Sequence, residues 1–354
     1  MKAKLLLAFL FPFVILAQTP AYYANIDFSQ SGENIKSQLT TLITNTHTNP
    51  LPYTSNNTDT WDVIKQSDLV NQSSDEVLLI YGYEDNDTPT NNDRLRNKDL
   101  SCHTSSCIGL WNREHVFARS LANPNLDVSY IGPGTDVHNL RSCDSQMNSS
   151  RSNRIFQDDT GNAHITSLGN FYPGDEHKGD VARIIMYMYT RYPNQCEAVN
   201  IGHGTANHSY YSDMPDVFLK WNAEDPVSQF EIDRNEIIYQ NQGNRNPYID
   251  NPYLATLIWN GQDAEDTWGT LSIPAEQLEQ LTIYPTYTSN YIYIKANTNK
   301  KYNYTIYNTM GQQVKTATTT ELIDISTLEN GLYLLKLMSN NTAQVKKIIK
   351  TNTN

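Results

Sequence analysis

Trp111-Asn112-Arg113-Glu114-His115-Val116, followed by Asp136-Val137-His138-Asn139-Leu140-Arg141 and Asn148-Ser149-Ser150-Arg151-Ser152-Asn153-Arg154, is the densest run of reactive side chains in the sequence. Two imidazoles, four arginines, several amides and carboxylates fall close together. Neighbouring residues on a regular strand point to opposite faces, so Glu114 and His115 can serve one reacting group only if the strand ends or twists there. The interval between His115 and Asn139 leaves 23 residues for a hairpin loop, and Gly132-Pro133-Gly134 supplies a turn within it.

Each fragment has a plain structural explanation. An Asp-X-His-Asn run is commonly a turn or a helix cap, a lone histidine is more often structural than catalytic, and most surface arginines are simply solvated. Their co-occurrence is what matters. Hydrolysis of a phosphodiester needs a base for water, a hard cation to neutralise developing charge, and donors for phosphate oxygens. Histidine suits the base because its ordinary pKa lies near neutrality, and Glu and Asn oxygens suit Mg²⁺, which keeps several waters.

Outward from this run, Ile35, Leu39, Leu42 and Ile43 recur at helical spacing until Pro50 and Pro52 end the pattern. Residues 77–81 (Val-Leu-Leu-Ile-Tyr) read as a buried strand, and the polar stretch 84–101 reads as a loop. Residues 179–192 are apolar around most of a helical circumference and predict a helix through the middle of the domain. Two more helices are expected at 215–221 and 226–240, each opened by a proline, with Gly243 capping the second. After Trp268 the pattern becomes short aromatic or β-branched runs at 281–284, 291–294, 304–307 and 332–337, which predict a small all-β sandwich. The expected fold class is α+β: a mainly helical domain at 18–265, a linker at 266–280 and the sandwich at 281–354.

Lys2 and Lys4 precede an apolar run that closes at Ala17, so residues 1–17 are expected to be a secretory signal peptide. Pro12 interrupts that run and it is short of the roughly 20 residues of a membrane span. No stable membrane insertion is expected, and the chain is expected to be a monomer. Residues 281–354 hold eight lysines against three acidic residues, whereas 18–280 hold sixteen basic against thirty-five acidic, giving +5 and −19. All histidines and cysteines precede residue 281, so acid–base and metal chemistry belongs to the first domain.

In an exported chain Cys102, Cys107, Cys143 and Cys196 read as disulfides, with Cys102–Cys107 and Cys143–Cys196 the favoured pairing. A zinc site on Cys102, Cys107 and His103 competes with the first pair, although the spacing matches no standard ligand pattern. A strongly acidic domain should repel a polyanion. Residues 111–156, however, carry five arginines against four acidic residues, and exposed charges are screened beyond ~10 Å.

These residues resemble the bacterial endonuclease I family, whose members share the His-Me finger, or ββα-metal, active site. The similarity covers nearly all of residues 22–255 and includes Gly179-Asp180-Val181-Ala182-Arg183, Trp221-Asn222, Asp225-Pro226-Val227 and Gln242-Gly243-Asn244-Arg245-Asn246-Pro247-Tyr248-Ile249-Asp250. The resemblance implies a finger of two strands and a helix, with Glu114 and His115 on the first strand and Asn139 on the helix. It implies that His115 is the general base and that Glu114 and Asn139 hold one Mg²⁺, with Mn²⁺ or Ca²⁺ as alternatives. It further implies cleavage of DNA or RNA to 5′-phosphate products.

Arg141, Arg151 and Arg154 are candidates for clamping phosphate. Arg113 and His138 are expected to support the site, His138 by orienting it, and Asn148 and Asn153 either support the metal or fix their loop. No basic recognition helix or cysteine–histidine finger is evident, which fits indifference to base sequence.

Residues 281–354 resemble the C-terminal sorting domains of the type IX secretion route, through Tyr284-Pro285, Ile306-Tyr307-Asn308, Gly331-Leu332-Tyr333 and Lys346-Lys347-Ile348-Ile349-Lys350. That resemblance implies engagement with the type IX machinery and a secreted or surface protein. Two rival readings stand beside the nuclease: an inactive nucleic-acid-binding or adhesion protein of the same fold, and a zinc protease. The protease reading lacks the His-Glu-X-X-His helix it would need.

Overall fold

A computed structural model describes residues 19–104, 106–269, 282–295, 301–339 and 342–352. The chain divides into two compact units, Met1–Leu271 and Ser272–Asn354. The expected signal peptide and most of the expected linker lie outside the described residues. Among the described residues, no helix is long and apolar enough to cross a membrane.

In the first unit the helices are α1 (Gly32–Asn45), α2 (Thr60–Ser67), α3 (Ser145–Arg151), α4 (Lys178–Arg191), α5 (Asp216–Glu224), α6 (Gln229–Gln242), α7 (Pro247–Asp250) and α8 (Tyr253–Trp259). The axis is α4, buried along its whole length from Gly179 to Thr190. Each of its large apolar side chains, such as Ile185, Met186 and Met188, contributes roughly 1.5–3 kcal/mol when removed from water. That burial fixes the helix between α1 and α5. At Gly179 a Cβ would meet the Asp225 carbonyl oxygen at 2.5 Å, so only glycine allows the closest approach to the end of α5.

The prolines at 215 and 226 do not open their helices from the first turn. Pro215 occupies the N-cap of α5. What starts α6 is a capping box: the Ser228 hydroxyl accepts from the Glu231 N–H, while the Glu231 carboxylate accepts from the Ser228 N–H. Gly243, at φ 93°, closes α6 in the left-handed conformation as expected.

The strands of this unit are short: β1 (Glu76–Leu78), β2 (Leu95–Asn97), β3 (Trp111–His115), β4 (Leu140–Asp144), β5 (His164–Ile165) and β6 (Phe171–Tyr172). The strand expected at 77–81 stops after Leu78, because Tyr81 turns into the left-handed region at φ 71°. Its partner β2 lies inside the stretch expected to be loop, with Val77 opposite Arg96. The alternating-pattern argument misses β2 because it is only three residues long.

Strands β3 and β4 are antiparallel, pairing Trp111 with Asp144 through to His115 with Leu140. The helix α3 follows β4 directly, and the Asp144 carboxylate caps it by accepting from the Gln146 and Met147 N–H groups. Cys102 and Cys107 form the expected disulfide, which removes the zinc alternative because both sulfurs are spent. Cys143 and Cys196, by contrast, are free thiols, which corrects the second expected pairing. Both are fully buried among apolar side chains, where a thiol packs as a small hydrophobe, and burial pushes both pKa values up.

The second unit holds β7 (Thr282–Tyr284), β8 (Tyr287–Thr288), β9 (Tyr291–Lys295), β10 (Tyr302–Tyr307), β11 (Gln313–Thr319), β12 (Leu322–Asp324), β13 (Gly331–Ser339) and β14 (Thr342–Lys350). They form two sheets, ordered β11-β10-β13-β14-β8 and β12-β9-β7. The period of two explains this unit: along Tyr291-Ile292-Tyr293-Ile294-Lys295 only the isoleucines are buried. They join Tyr304, Ile306, Leu335 and Leu337 in one apolar core.

Candidate active site

Strand β3 obeys the alternation that the sequence raised as an objection. Asn112 and Glu114 face α3, while Arg113 and His115 pack on Tyr53. Strand β3 ends at His115. Helix α3 runs alongside and reports the register: Asn148 donates to Asn112 Oδ1 at 2.8 Å, and one turn later Arg151 donates to the Val116 carbonyl at 2.7 Å. Asn148 Nδ2 also donates to the Arg113 carbonyl at 3.4 Å, so its side chain meets β3 at the two residues that precede Glu114.

The His115 ring stacks on Tyr53 with centroids 5.6 Å apart, and Nε2–H donates to the Gly134 carbonyl at 2.8 Å. That bond fixes the tautomer and leaves Nδ1 with its lone pair. Nδ1 has no protein partner among the described residues, yet it is not sealed from solvent. Burial lowers the pKa to about 4, against the carbonyl bond that raises it, with Arg119, Arg113 and Arg151 adding to the fall. The imidazole is thus neutral at pH 7, the state a base requires.

Glu114 is 2% exposed. Its Oε1 accepts from the Tyr81 hydroxyl at 3.1 Å and forms an ion pair with Arg151 Nη1 at 3.3 Å, while Oε2 accepts no hydrogen bond among the described residues. Burial raises the carboxyl to about 7, partly offset by Arg151 and Tyr81. A buried carboxylate with one uncommitted oxygen suits a hard cation, and the Asn148 Oδ1, also without a protein partner, adds a second neutral oxygen. Among the described residues no group of three or more His, Cys, Asp or Glu could hold a metal. The donors fit a carboxylate–amide–water shell, as Mg²⁺ prefers, rather than a zinc cage.

Several expected site residues have other work. Asn139 does not sit on the helix but in a short helical turn, Val137–Asn139, ahead of β4. Its Oδ1 accepts from the Phe117 N–H at 2.7 Å and its Nδ2 donates to the Phe117 carbonyl at 3.2 Å, so the side chain ties the segment after β3 to that turn. Arg141 has no exposure and is held by Asp68 and Asp180 at 3.2 and 2.8 Å, which takes it out of reach of a phosphate. Arg151 is also buried and braces the end of β3 through the His115 and Val116 carbonyls.

Arg113 lies between Tyr53 and Trp61, 3.4 and 4.0 Å from the ring centroids, and pins the segment after Pro52 to β3. His138 is fully buried against Tyr187, with its pKa lowered to about 3 by burial, and its Nε2–H donates to the Asn244 carbonyl at 3.2 Å. It is a core residue away from solvent. Asn153 donates to the Ser120 hydroxyl at 3.2 Å and links the loop after α3 to the turn at Arg119–Leu121.

Of the arginines put forward from sequence for phosphate, Arg154 alone remains partly exposed with no acidic partner among the described residues; it donates to the Ser150 carbonyl at 2.6 Å. Arg119, which the sequence reading passed over, is exposed, donates to the Leu126 carbonyl at 2.8 Å and acts electrostatically on His115. Its place four residues beyond His115 was the available signal. Tyr53 and Tyr81 were missed because nothing in their spacing marks them.

The strand pair thus carries His115 and Glu114 at the end of β3, with Asn148 and Arg151 of α3 packed against it. The chain belongs to the endonuclease I family, whose model, described as Endonuclease I, matches residues 31–253. A second family model, the secretion system C-terminal sorting domain, matches residues 282–351. The chain is 36% identical over 264 residues to the extracellular ribonuclease of Bacillus subtilis (strain 168), covering 72% of this chain and 83% of that protein. It is 38% identical over 253 residues to the extracellular ribonuclease of Bacillus amyloliquefaciens, covering 69% and 79%. It is 26% identical over 134 residues to endonuclease-1 of Buchnera aphidicola subsp. Baizongia pistaciae, covering 35% and 49%. The protein is a nuclease, secreted or held at the cell surface, with a type IX sorting signal at its C-terminal unit. Nucleases of this family generally use a divalent metal ion.

Proposed function

We propose that the chain is a divalent-cation-dependent endonuclease of low base selectivity that cuts both RNA and DNA, with β3, β4 and α3 as its ββα-metal finger. The observation that carries this is the pair of uncommitted atoms on successive residues at the end of β3: Nδ1 of His115 and Oε2 of Glu114. Likeness to two extracellular ribonucleases supports RNA as a substrate, and likeness to an endonuclease supports internal cutting. In this reading Glu114 and Asn148 hold the cation, Mg²⁺ by preference, and the ion when bound supplies positive charge to a phosphate and its departing 3′ oxygen.

His115 Nδ1 takes a proton from the attacking water, and the Gly134 carbonyl steadies the charge left on the ring through Nε2–H. Arg154 and Arg119 meet phosphate oxygens. Contacts to the backbone carry no base information, which accounts for the tolerance of sequence. The 3′ oxygen leaves and the products carry 5′-phosphates.

The test is digestion of double-stranded DNA, single-stranded DNA and RNA in parallel, with Mg²⁺, Mn²⁺, Ca²⁺ or EDTA. Cutting of RNA and DNA that EDTA stops is expected. Binding without cutting under every metal would instead establish the inactive binding protein.

The two asparagines separate cleanly. Asn148→Ala is expected to weaken Mg²⁺ at unchanged melting temperature. Asn139→Ala, which leaves two backbone groups of Phe117 unpaired in the interior, is expected to lose about 1–3 kcal/mol in urea unfolding. The reverse pattern would return the metal to Asn139.

Acidity supplies a further check. The folded pKa of Glu114 is about 7, above the ordinary 4.5, so its protonated form favours the fold and that stability is lost as pH rises between these values. The cation must displace the same proton. The rise in melting temperature on adding Mg²⁺ should therefore be small near about pH 5 and large near about pH 8. Equal shifts at both would count against Glu114 as a ligand.

A further inference from the structure

Tyr81 is fully buried and carries a positive φ of 71°, a conformation that an aromatic residue adopts only when its surroundings compel it. The surroundings do so from both sides. The Ile80 N–H donates to the Ser142 carbonyl on β4 at 2.9 Å, the Gly82 N–H to the Leu79 carbonyl at 3.2 Å, and the Tyr83 N–H to the Asn92 carbonyl at 2.8 Å. Gly82 lies so close to Asp93 that a Cβ would meet its carbonyl oxygen at 2.1 Å. The turn so held places the phenol ring edge-on to Phe171, with centroids 5.0 Å apart, and its hydroxyl donates to Glu114 Oε1 at 3.1 Å. Arg151 reaches the same oxygen at 3.3 Å. Among the described residues the hydrogen bond to Glu114 falls on Oε1 and none falls on Oε2.

We propose that Tyr81 is a positioning residue for the cation site: its hydroxyl, with Arg151, holds Glu114 Oε1 and thereby presents Oε2 to a divalent cation. The inference rests on the reading of Glu114 as a ligand. Left to itself a glutamate has three rotatable side-chain bonds and would lose conformational freedom on binding the ion; the phenol takes that freedom away beforehand. The strained turn is thereby given a purpose. A tyrosine needed only to fill the core could do so as phenylalanine.

Tyr81→Phe keeps the ring and removes the hydroxyl. In the full chain stripped with EDTA, Mn²⁺ is titrated by calorimetry and by the shift in melting temperature, well below the melting point of each variant. Tyr81→Phe is expected to bind Mn²⁺ about 10-fold to 100-fold more weakly, with cleavage recovering at saturating Mn²⁺. A dissociation constant within twofold of the parent, even if the metal-free variant melts early, would reduce Tyr81 to core packing and overturn the proposal. Glu114→Gln, measured beside it, tells the two readings apart. If it binds Mn²⁺ like the parent, the ligand assignment itself fails and takes this inference with it; if it loses Mn²⁺ while Tyr81→Phe does not, only the role of Tyr81 falls.

Discussion

His115→Ala should cut nucleic acid roughly 10²–10⁴-fold more slowly than the parent, the range expected when a positioned general base is removed. The fold should survive, because the ring makes one hydrogen bond, to the Gly134 carbonyl, and one stacking contact, with Tyr53. Circular dichroism and the melting curve would establish that, and initial rates on plasmid and on RNA at saturating Mg²⁺ would give the loss. A neutral imidazole with Nδ1 open to solvent is the only feature of residue 115 that the variant deletes near the reacting phosphate. Rates close to those of the parent in a folded His115→Ala protein would mean that another group activates water.

The largest effect on stability is expected at Asp68, behind the strand β4 that pairs with β3. Its carboxylate is completely buried and meets Arg234 at 2.9 Å, Arg141 at 3.2 Å, the Ser142 N–H at 2.7 Å and the Ser142 hydroxyl at 3.1 Å. Burial by itself would raise its pKa, but Arg234 and Arg141 outweigh that and hold it below 3.8. Asp68→Ala leaves two guanidinium groups in the interior without their shared counter-charge and should cost about 3–5 kcal/mol in urea unfolding.

The sign with pH follows from the lowered pKa. The contribution of Asp68 is present above its ordinary value of 3.8 and is lost as pH falls through the still lower folded value. A loss under about 1 kcal/mol would show that the interior tolerates Arg234 without a carboxylate and Arg141 with Asp180 alone. In that case Arg141 could move, and its exclusion from the substrate would need revisiting.

Much of the architecture was legible in the chain itself. The period of 3.6 in α1 and α4 and the period of two in the C-terminal strands follow from which face must leave water, a property each segment carries alone. His115 and Glu114 were legible as candidates too, as neighbours in one motif. The strand β2, the capping box of α6 and the left-handed turn at Tyr81 were not, because each depends on one or two residues rather than a pattern.

By itself, then, the sequence determined the family and the change of pattern after Trp268, and it singled out His115 and Glu114 as candidates. Tertiary structure alone decided which polar residues are free to react. Arg141 and Arg154 look alike in sequence, yet one is locked between Asp68 and Asp180 while the other stays partly exposed. Asn139 reads as the ligand and Asn148 as its support until the first is seen bound to the Phe117 backbone and the second against Asn112 and Arg113 of β3. Cys143 and Cys196 look like partners until both are found as buried thiols. The physical reason is common to all three: a side chain's partners come from elsewhere in the chain, as Arg234 meets Asp68 across 166 positions, and burial decides whether its charge or lone pair is already spent.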